Sequence, residues 1–484
     1  MNARNILYIL GTLILFLGLT MFFPLFCSLY YKEGDASAFL YSIAISFCVG
    51  ALVHFLFRPV NGKKINLTHR EGFLIVATGW FLAASFGSLP YMIQGVLPQF
   101  GDAFFESISG FTTTGATVIT NIGDLPHGIL LWRSLTQWLG GMGIIVLSIA
   151  ILPLLGVGGM QLYKAELSSP VKDKLTPRIA ETARTLWIVY IIISIVEFIM
   201  LLTGGMDVFN AICHTFSTMS TGGFSTSDAS IAQFHSAYID GIITFFMVVA
   251  GINFTLHYGL ITGNFKAVLR NSELRLYLGI ILTAVIIVTI SLKQNLFYET
   301  GGYLRYASFQ VVSILTGTGF TTANFDNWPS LSKIILLTMM FIGGSAGSTT
   351  GGIKCLRVLL ILKYLYKELY RLIHPHAVTA VKLGKRTVYP ETMASIWGFF
   401  MLYLMMTVVA SIIMAMLGLD MMTAFSSVVA TIGNVGPGFG AVNPSATYSE
   451  IPCLGKWVLS FCMLAGRLEI YTVIILLIPE FWKK

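Results

Sequence analysis

Apolar runs separated by short polar connections fill almost the whole chain, and they follow a fixed order. Two runs come first, near 5–31 and 36–57. Four pairs follow, at 71–93 and 127–157, 180–203 and 234–262, 273–292 and 330–372, and 391–418 and 452–481. A hydrocarbon core of ~30 Å takes about 20 apolar residues of helix, so each run is read as a span. Between the partners of each pair lie about a dozen residues of moderate hydrophobicity, enough for a helix that crosses only half the bilayer. Non-helical backbone at that depth survives only where protein or a water-filled cavity satisfies it. The pattern predicts an all-α polytopic membrane protein of ten spans, in which four pseudo-repeats of helix, half-helix, turn and helix surround one central pore. The repeats fall at 67–170, 171–270, 271–385 and 386–484, after two N-terminal helices in 1–66.

The short segments align without a gap on a final glycine. Their ends read Thr112-Thr113-Thr114-Gly115, Ser220-Thr221-Gly222-Gly223, Thr316-Gly317-Thr318-Gly319 and Gly433-Asn434-Val435-Gly436. Twelve residues before the glycine stands Ala103, Ala211, Ala307 or Ala424, and six before it Ser109, Ser217, Ser313 or Ala430. The glycines are 108, 96 and 117 residues apart, a period too long for a solenoid. One polypeptide that builds a fourfold pore needs such an element four times.

Composition and charge agree with a membrane chain. Hydrophobic residues make up 55% and charged ones 11%, well under the roughly 25% charge of a soluble domain. The net charge of +8 follows the positive-inside rule rather than nucleic acid binding. Basic residues collect in alternate connections: Arg58, Lys63, Lys64 and Arg70; Lys164, Lys172, Lys174, Arg178 and Arg184; Lys266, Arg270 and Arg275; Lys363, Lys367, Arg371, Lys382, Lys385 and Arg386; and Lys483 and Lys484. These are expected in the cytoplasm, with both termini. The opposite side carries the half-helices and the acids Glu33, Asp35, Asp102, Asp124, Asp207, Asp228, Asp240, Asp326 and Asp420, which would gather cations at an entrance. The N-terminal run is long and lacks a small-x-small cleavage site, so it is read as a retained helix. Six cysteines without C-x-x-C spacing imply neither a disulfide framework nor a zinc site; Cys27, Cys48 and Cys462 are read as small apolar packing groups.

A half-helix entering from outside points its C-terminal end at the membrane centre and places about half a negative charge there. Four such ends stabilise a cation. The turns after them offer backbone carbonyls and hydroxyls, which suit a monovalent cation, potassium above all; a divalent site would call for a carboxylate ring. The final glycines fit a backbone that must adopt positive φ.

With these turns in view, the whole chain resembles the Trk/Ktr/HKT superfamily of potassium transporters, and within it the membrane subunits of bacterial Trk systems. The resemblance implies that the four turns, Thr112–Gly115, Ser220–Gly223, Thr316–Gly319 and Gly433–Gly436, form a K+ filter. It also implies uptake of K+ and Rb+ across the bacterial inner membrane, one pore per subunit, a homodimer, and a TrkA-like cytosolic ring that binds nucleotides. Plant relatives with serine at the first filter glycine favour sodium, so Gly115 argues for potassium. The fourth copy departs most, replacing hydroxyl residues with Gly433, Asn434 and Val435. A symporter coupling K+ to H+ or Na+ is the alternative.

Two features suggest a gate. Gly343, Gly344, Ser345, Gly347, Gly351 and Gly352 fall within ten residues of the second helix of the third repeat, and at ~0.8–1.0 kcal/mol per glycine they break it. In the family such a loop occludes the pore; the alternative is close helix packing through Gly347-x-x-x-Gly351. The match of Gly343 to Gly347 to G-x-S-x-G lacks the strand, helix and histidine of a hydrolase elbow. Arg467 is expected inside the final span, where a charge is costly and functional by default. It would repel a cation below the filter or hold the loop, or else pair with Glu469 or Glu197. Lys354 is expected to snorkel to the cytoplasm. Glu106, His214, Gln310 and Ser427 align as polar supports of the turns. No H-E-x-x-H, paired catalytic carboxylates, Ser–His pair or nucleotide fingerprint occurs, which argues against an enzyme and an organic cofactor. A proton relay would have only Glu106, Glu197 and Glu469. No ligand-sensing segment is seen, and the basic segments 158–184, 263–275 and 363–390 would dock a regulatory partner.

Overall fold

A computed structural model of the chain describes residues 2–59, 67–150, 175–294, 302–377, 379–384 and 386–483. Lys63, Lys64, Lys164, Lys172, Lys174, Lys385 and Lys484, the Arg178 side chain and residues 151–157 of the fourth run lie outside them. The described chain is helical apart from a two-stranded antiparallel hairpin, Lys382–Leu383 with Arg386–Thr387, an addition to the all-α expectation.

Among the described residues, six helical spans are long and apolar enough to cross a bilayer: Ala3–Tyr31, Ala36–Leu56, His69–Gln94, Glu181–Thr203, Ser272–Gln294 and Pro390–Met416. They are the two N-terminal spans and the first helix of every repeat. Each is apolar nearly all round, and Phe23, Leu282 and Met405 stand exposed because lipid, unlike water, does not penalise them. Reciprocal capping starts the third span: the Thr68 amide donates to Glu71 Oε2 at 2.9 Å, and the Glu71 amide donates back to the Thr68 hydroxyl.

The second helices of the repeats behave differently. In repeat 1, His127–Ala150 is continuous as far as it is described. In repeat 3 the helix stops at Ile342 and resumes at Cys355, as the glycine run predicts. The continuous spans expected at 234–262 and 452–481 do not form. Ala237–Ala250 and Phe254–Ile261 meet at 100°, and Cys453–Arg467 and Tyr471–Leu477 at 114°. The physical cause is tertiary: the Gly251 carbonyl accepts from the Ser345 amide, and Glu469 is held by side chains from repeat 3. Among the described residues, the second helices of repeats 2, 3 and 4 therefore break at similar distances from their starts.

The half-helices are Phe100–Phe111, Val208–Met219, Tyr303–Leu315 and Met421–Ile432. Asp207 and Asp420 cap two of them, accepting from the amides of Asn210 and Thr423 at 3.0 and 3.1 Å. Apart from the first few residues of each, these helices are almost wholly buried, which fits elements enclosed by the spans.

Candidate functional site

Each half-helix ends in the same hydrogen-bonded knot. In repeat 1 the Thr113 amide donates to the Gly110 carbonyl and the Thr114 amide to Ser109, at 2.9 and 2.8 Å. The equivalent bonds join Thr221 to Thr218 and Gly222 to Ser217, Gly317 to Ile314 and Thr318 to Ser313, and Asn434 to Thr431 and Val435 to Ala430. This is the Schellman termination, which needs a left-handed residue just past the helix. Thr113, Thr221, Gly317 and Asn434 fill that place at φ 52°, 55°, 69° and 53°. The sequence had pointed only to the final glycines, and these are left-handed too: Gly115, Gly223, Gly319 and Gly436 have φ 81°, 76°, 77° and 94°. The aligned Ser109, Ser217, Ser313 and Ala430 are the residues whose carbonyls close the knot.

The four turns meet in a closed ring. A Cβ on Gly115 would collide with the carbonyl oxygen of Gly222, one on Gly223 with Thr318, one on Gly319 with Val435, and one on Gly436 would press on Thr114. Each final glycine thus abuts the peptide before the final glycine of the next repeat, in the cyclic order 1-2-3-4-1. The segments beyond the turns repeat this order. Asp228 accepts from the Ile122 amide at 2.8 Å, the Ile231 amide donates to Thr321, Asp326 accepts from Gly440, and the Tyr448 amide donates to Thr117.

The glycine loop of repeat 3 lies against this ring. The Thr221 hydroxyl donates to the Thr349 carbonyl at 2.9 Å, and the Thr349 hydroxyl faces the Met219 carbonyl at 3.2 Å. Two residues on, a Cβ on Gly351 would collide with the Gly433 carbonyl and Asn434. Repeats 2 and 4 are opposite members of the ring, so the stretch Thr349–Gly351 bridges two opposite turns. Gly344 and Ser345 pack on the Gly251 break, and the Ala346 amide donates to Glu273 Oε1 at 2.6 Å.

Arg467 lies inside the final span, as expected, but as the last residue of its first helix, at the bend, and is 2% exposed. Its Nη1 donates to the Thr349 carbonyl at 2.6 Å, whereas its Nε and Nη2 find no acceptor among the described residues. Neither Glu469 nor Glu197 pairs with it. Glu469 instead binds Arg357, with the Lys354 ammonium 4.0 Å away. Lys354 therefore does not snorkel; it is buried against this carboxylate.

Glu106, His214 and Gln310 support the turns from behind. Glu106 accepts from Arg133 Nε at 2.9 Å and from the Thr117 hydroxyl and Val118 amide. Arg133 also donates to the Ser225 carbonyl at 3.0 Å and lies over the Phe224 ring, joining repeats 1 and 2. His214 reaches Ser225, and Gln310 reaches Thr322. Ser427 instead bonds within its own helix, to Ala424. Arg133 and its helix neighbour Gln137 were missed in the sequence, although a charge and an amide four apart in an apolar run are the available signal. The outer acids are mostly engaged locally rather than free at an entrance: Asp102 with Lys456, Asp240 with Arg305, Asp326 with Lys333, and Glu33 with His127. All six cysteines are free thiols, and Cys48 faces outward rather than packing inside.

A fourfold ring of half-helix ends inside a cage of apolar spans defines a polytopic helical membrane protein that encloses a central pathway. Residues 35–484 match the TrkH family, described as cation transport proteins, and the chain belongs to that family. It is 43% identical over 488 residues to the Trk system potassium uptake protein TrkH of Salmonella typhimurium and 44% identical over 487 residues to that of Halomonas elongata, both chains being covered completely in each case. The crystal structure of the potassium transporter TrkH from Vibrio parahaemolyticus superposes with a TM-score of 0.91 at 39% identity, covering all of both chains.

Proposed function

We propose that the chain is the membrane subunit of a bacterial Trk potassium uptake system, passing K+ and Rb+ along the membrane potential through a filter of backbone carbonyls. The observation that carries this reading is the closed ring of four turns. It gathers four negative helix ends and the carbonyl-rich turns Thr112–Gly115, Ser220–Gly223, Thr316–Gly319 and Gly433–Gly436, with no carboxylate among them. The four repeats form the walls, and the basic connections set both termini in the cytoplasm of the inner membrane.

The loop from Gly343 to Gly352 is the gate. Its bridge between two opposite turns blocks the axis, and Arg467 holds its apex while adding a cationic barrier. A TrkA-like nucleotide-binding ring docked on the basic face would move the loop, and the subunit would work as a homodimer. Glu106 and Glu469, two of the three carboxylates available to a proton relay, are committed to ion pairs, which favours channel-like flow over symport.

The decisive measurement is the reversal potential of the reconstituted protein across a pH gradient. A reversal that tracks K+ alone supports the reading; one that moves with pH gives the H+-coupled alternative, and a Na+ dependence the Na+-coupled one. Deleting Gly344–Gly351 should raise basal flux, and a folded variant with unchanged or lower flux would return the loop to a packing role. Co-purification with a cytosolic ring at moderate salt, and flux with and without ATP or NADH, test the partner. A chain fully regulated alone would remove the need for one.

A further inference from the structure

The seam between repeats 1 and 2 is built differently from the other three. Counted from the starts of the second helices at His127, Ala237, Ser330 and Cys453, the seventh residue is Arg133, Ile243, Leu336 or Leu459, and the eleventh is Gln137, Met247, Met340 or Met463. The same count puts Gly140 and Gly466 at the fourteenth place, where a Cβ would collide with the carbonyls of Phe111 and Ile432, the last helical residues of repeats 1 and 4. The alignment is therefore structural as well as numerical. The seventh and eleventh residues are buried in all four repeats, yet only repeat 1 places polar groups there.

Those groups read successive backbone atoms of the next repeat. Arg133 donates to the Ser225 carbonyl. Gln137 Nε2 donates to the Gly222 carbonyl at 2.7 Å, and its Oε1 accepts from the Phe224 amide at 3.0 Å. The amide orientation is settled by these partners, since the flipped form would set oxygen against oxygen and N–H against N–H.

The residue before the final glycine varies with its seam. It is Thr318 where Met247 stands in the preceding repeat, Val435 where Met340 stands, and Thr114 where Met463 stands. Only where Gln137 stands is it a glycine, Gly222, and a Cβ there would collide with the Gln137 amide. The amide thus occupies the room that a threonine or valine side chain takes in the other turns. The Thr114 and Thr318 hydroxyls are each 2.8 Å from the hydroxyl two residues earlier, Thr112 and Thr316, an anchor that Gly222 lacks.

We propose that Gln137 is a positioning residue for ion selection. Resting on the filter reading above, the inference is that it supplies from repeat 1 the side chain missing at Gly222, fixing the direction of that carbonyl and hence the ring that discriminates K+ from Na+. The consequence is a difference in preference rather than in folding, because the amide acts on one carbonyl of the ring.

The test uses the full chain in proteoliposomes, with Rb+ uptake competed by K+ and Na+. Gln137→Met, which installs the residue of the other three repeats, should lower K+ preference over Na+ by about three- to tenfold, the size of one net hydrogen bond. KM for K+ should rise while the maximal rate stays near wild type. Gln137→Met with Gly222→Thr rebuilds the seam in the form the other repeats use and should restore the preference. A folded Gln137→Met variant with wild-type preference overturns the inference, and so does a double variant that folds without recovering it. If the single variant does not fold, the double variant carries the test alone. Gly115→Ser separates the two levels: if it leaves preference unchanged, the filter assignment fails and this inference with it. If it shifts preference and Gln137→Met does not, only the role of Gln137 falls.

Discussion

Arg467 donates to the carbonyl of Thr349 across 118 residues of sequence, and the same carbonyl accepts the hydroxyl of Thr221. One oxygen at the apex of the repeat 3 loop is thereby tied to repeat 4 and repeat 2 at once. A buried guanidinium that spends one of its three nitrogens on this bond makes the loop position dependent on it.

Replacing Arg467 by Ala should raise basal flux. A charge-assisted hydrogen bond contributes about 1.5–3 kcal/mol, so the displaced state of the loop would gain roughly ten- to a hundredfold in population. Rb+ flux into proteoliposomes without partner protein measures this, and unchanged flux in a folded variant would make Arg467 a structural residue only.

Gly115→Ser should weaken K+ preference over Na+ by about tenfold. Position 115 has φ 81°, and any Cβ there meets the Gly222 carbonyl. A left-handed conformation costs an L-residue about 1–2 kcal/mol, which the turn can relieve only by rotating its carbonyls. Competition among K+, Rb+ and Na+ in uptake reads the change.

Glu469→Gln should destabilise the fold more than it changes flux selectivity. Its carboxylate faces Arg357 and Lys354 in buried surroundings, and removing the anion leaves two cations uncompensated. Breaking a buried pair from one side costs about 3–5 kcal/mol. A lower thermal midpoint in detergent with an unaltered K+/Na+ ratio is the expected result. Exchanging Arg357 for Met in the same chain should recover part of the loss.

Asp420 provides a pH dependence of known sign. Hydrogen bonds from the Thr423 hydroxyl and amide hold its carboxyl below the usual carboxylate value. A lowered folded value means that the cap stabilises above the unfolded value and is lost as pH falls through the folded one. Asp420→Ala should cost about 1 kcal/mol near neutral pH, and the difference from wild type should begin to shrink below about pH 4 and be lost only as pH falls through the lowered folded value. Thermal scans at pH 7 and pH 3 compare the two.

The ring and the repeat 3 loop were legible in the sequence because both depend on backbone conformations that glycine marks. Gly115, Gly223, Gly319 and Gly436 announce the turns, and the crowded glycines at 343–352 announce the break. The left-handed Thr113, Thr221 and Asn434 were not legible, since no Cβ-free residue signals them and the knot is enforced by the bonds around it. The breaks at Gly251 and at Leu468–Ile470 were hidden for a related reason. Glu469 and Ile470 have φ 58° and 46°, an arrangement that local propensity opposes and only the ties to Arg357, Lys354 and the loop sustain. Arg467 was found from its cost in an apolar run, but the bend that follows it could not be foreseen.

The cyclic contact that returns from Gly436 to Thr114 has an evolutionary corollary. A pore assembled from four identical chains changes all its walls with every mutation, so any alteration of the lining is multiplied fourfold. Here each quadrant is encoded separately, and the Gln137–Gly222 seam is already a quadrant that has diverged. If the four turns form the filter proposed above, ion preference would be open to adjustment one wall at a time, through intermediates that each keep three walls intact.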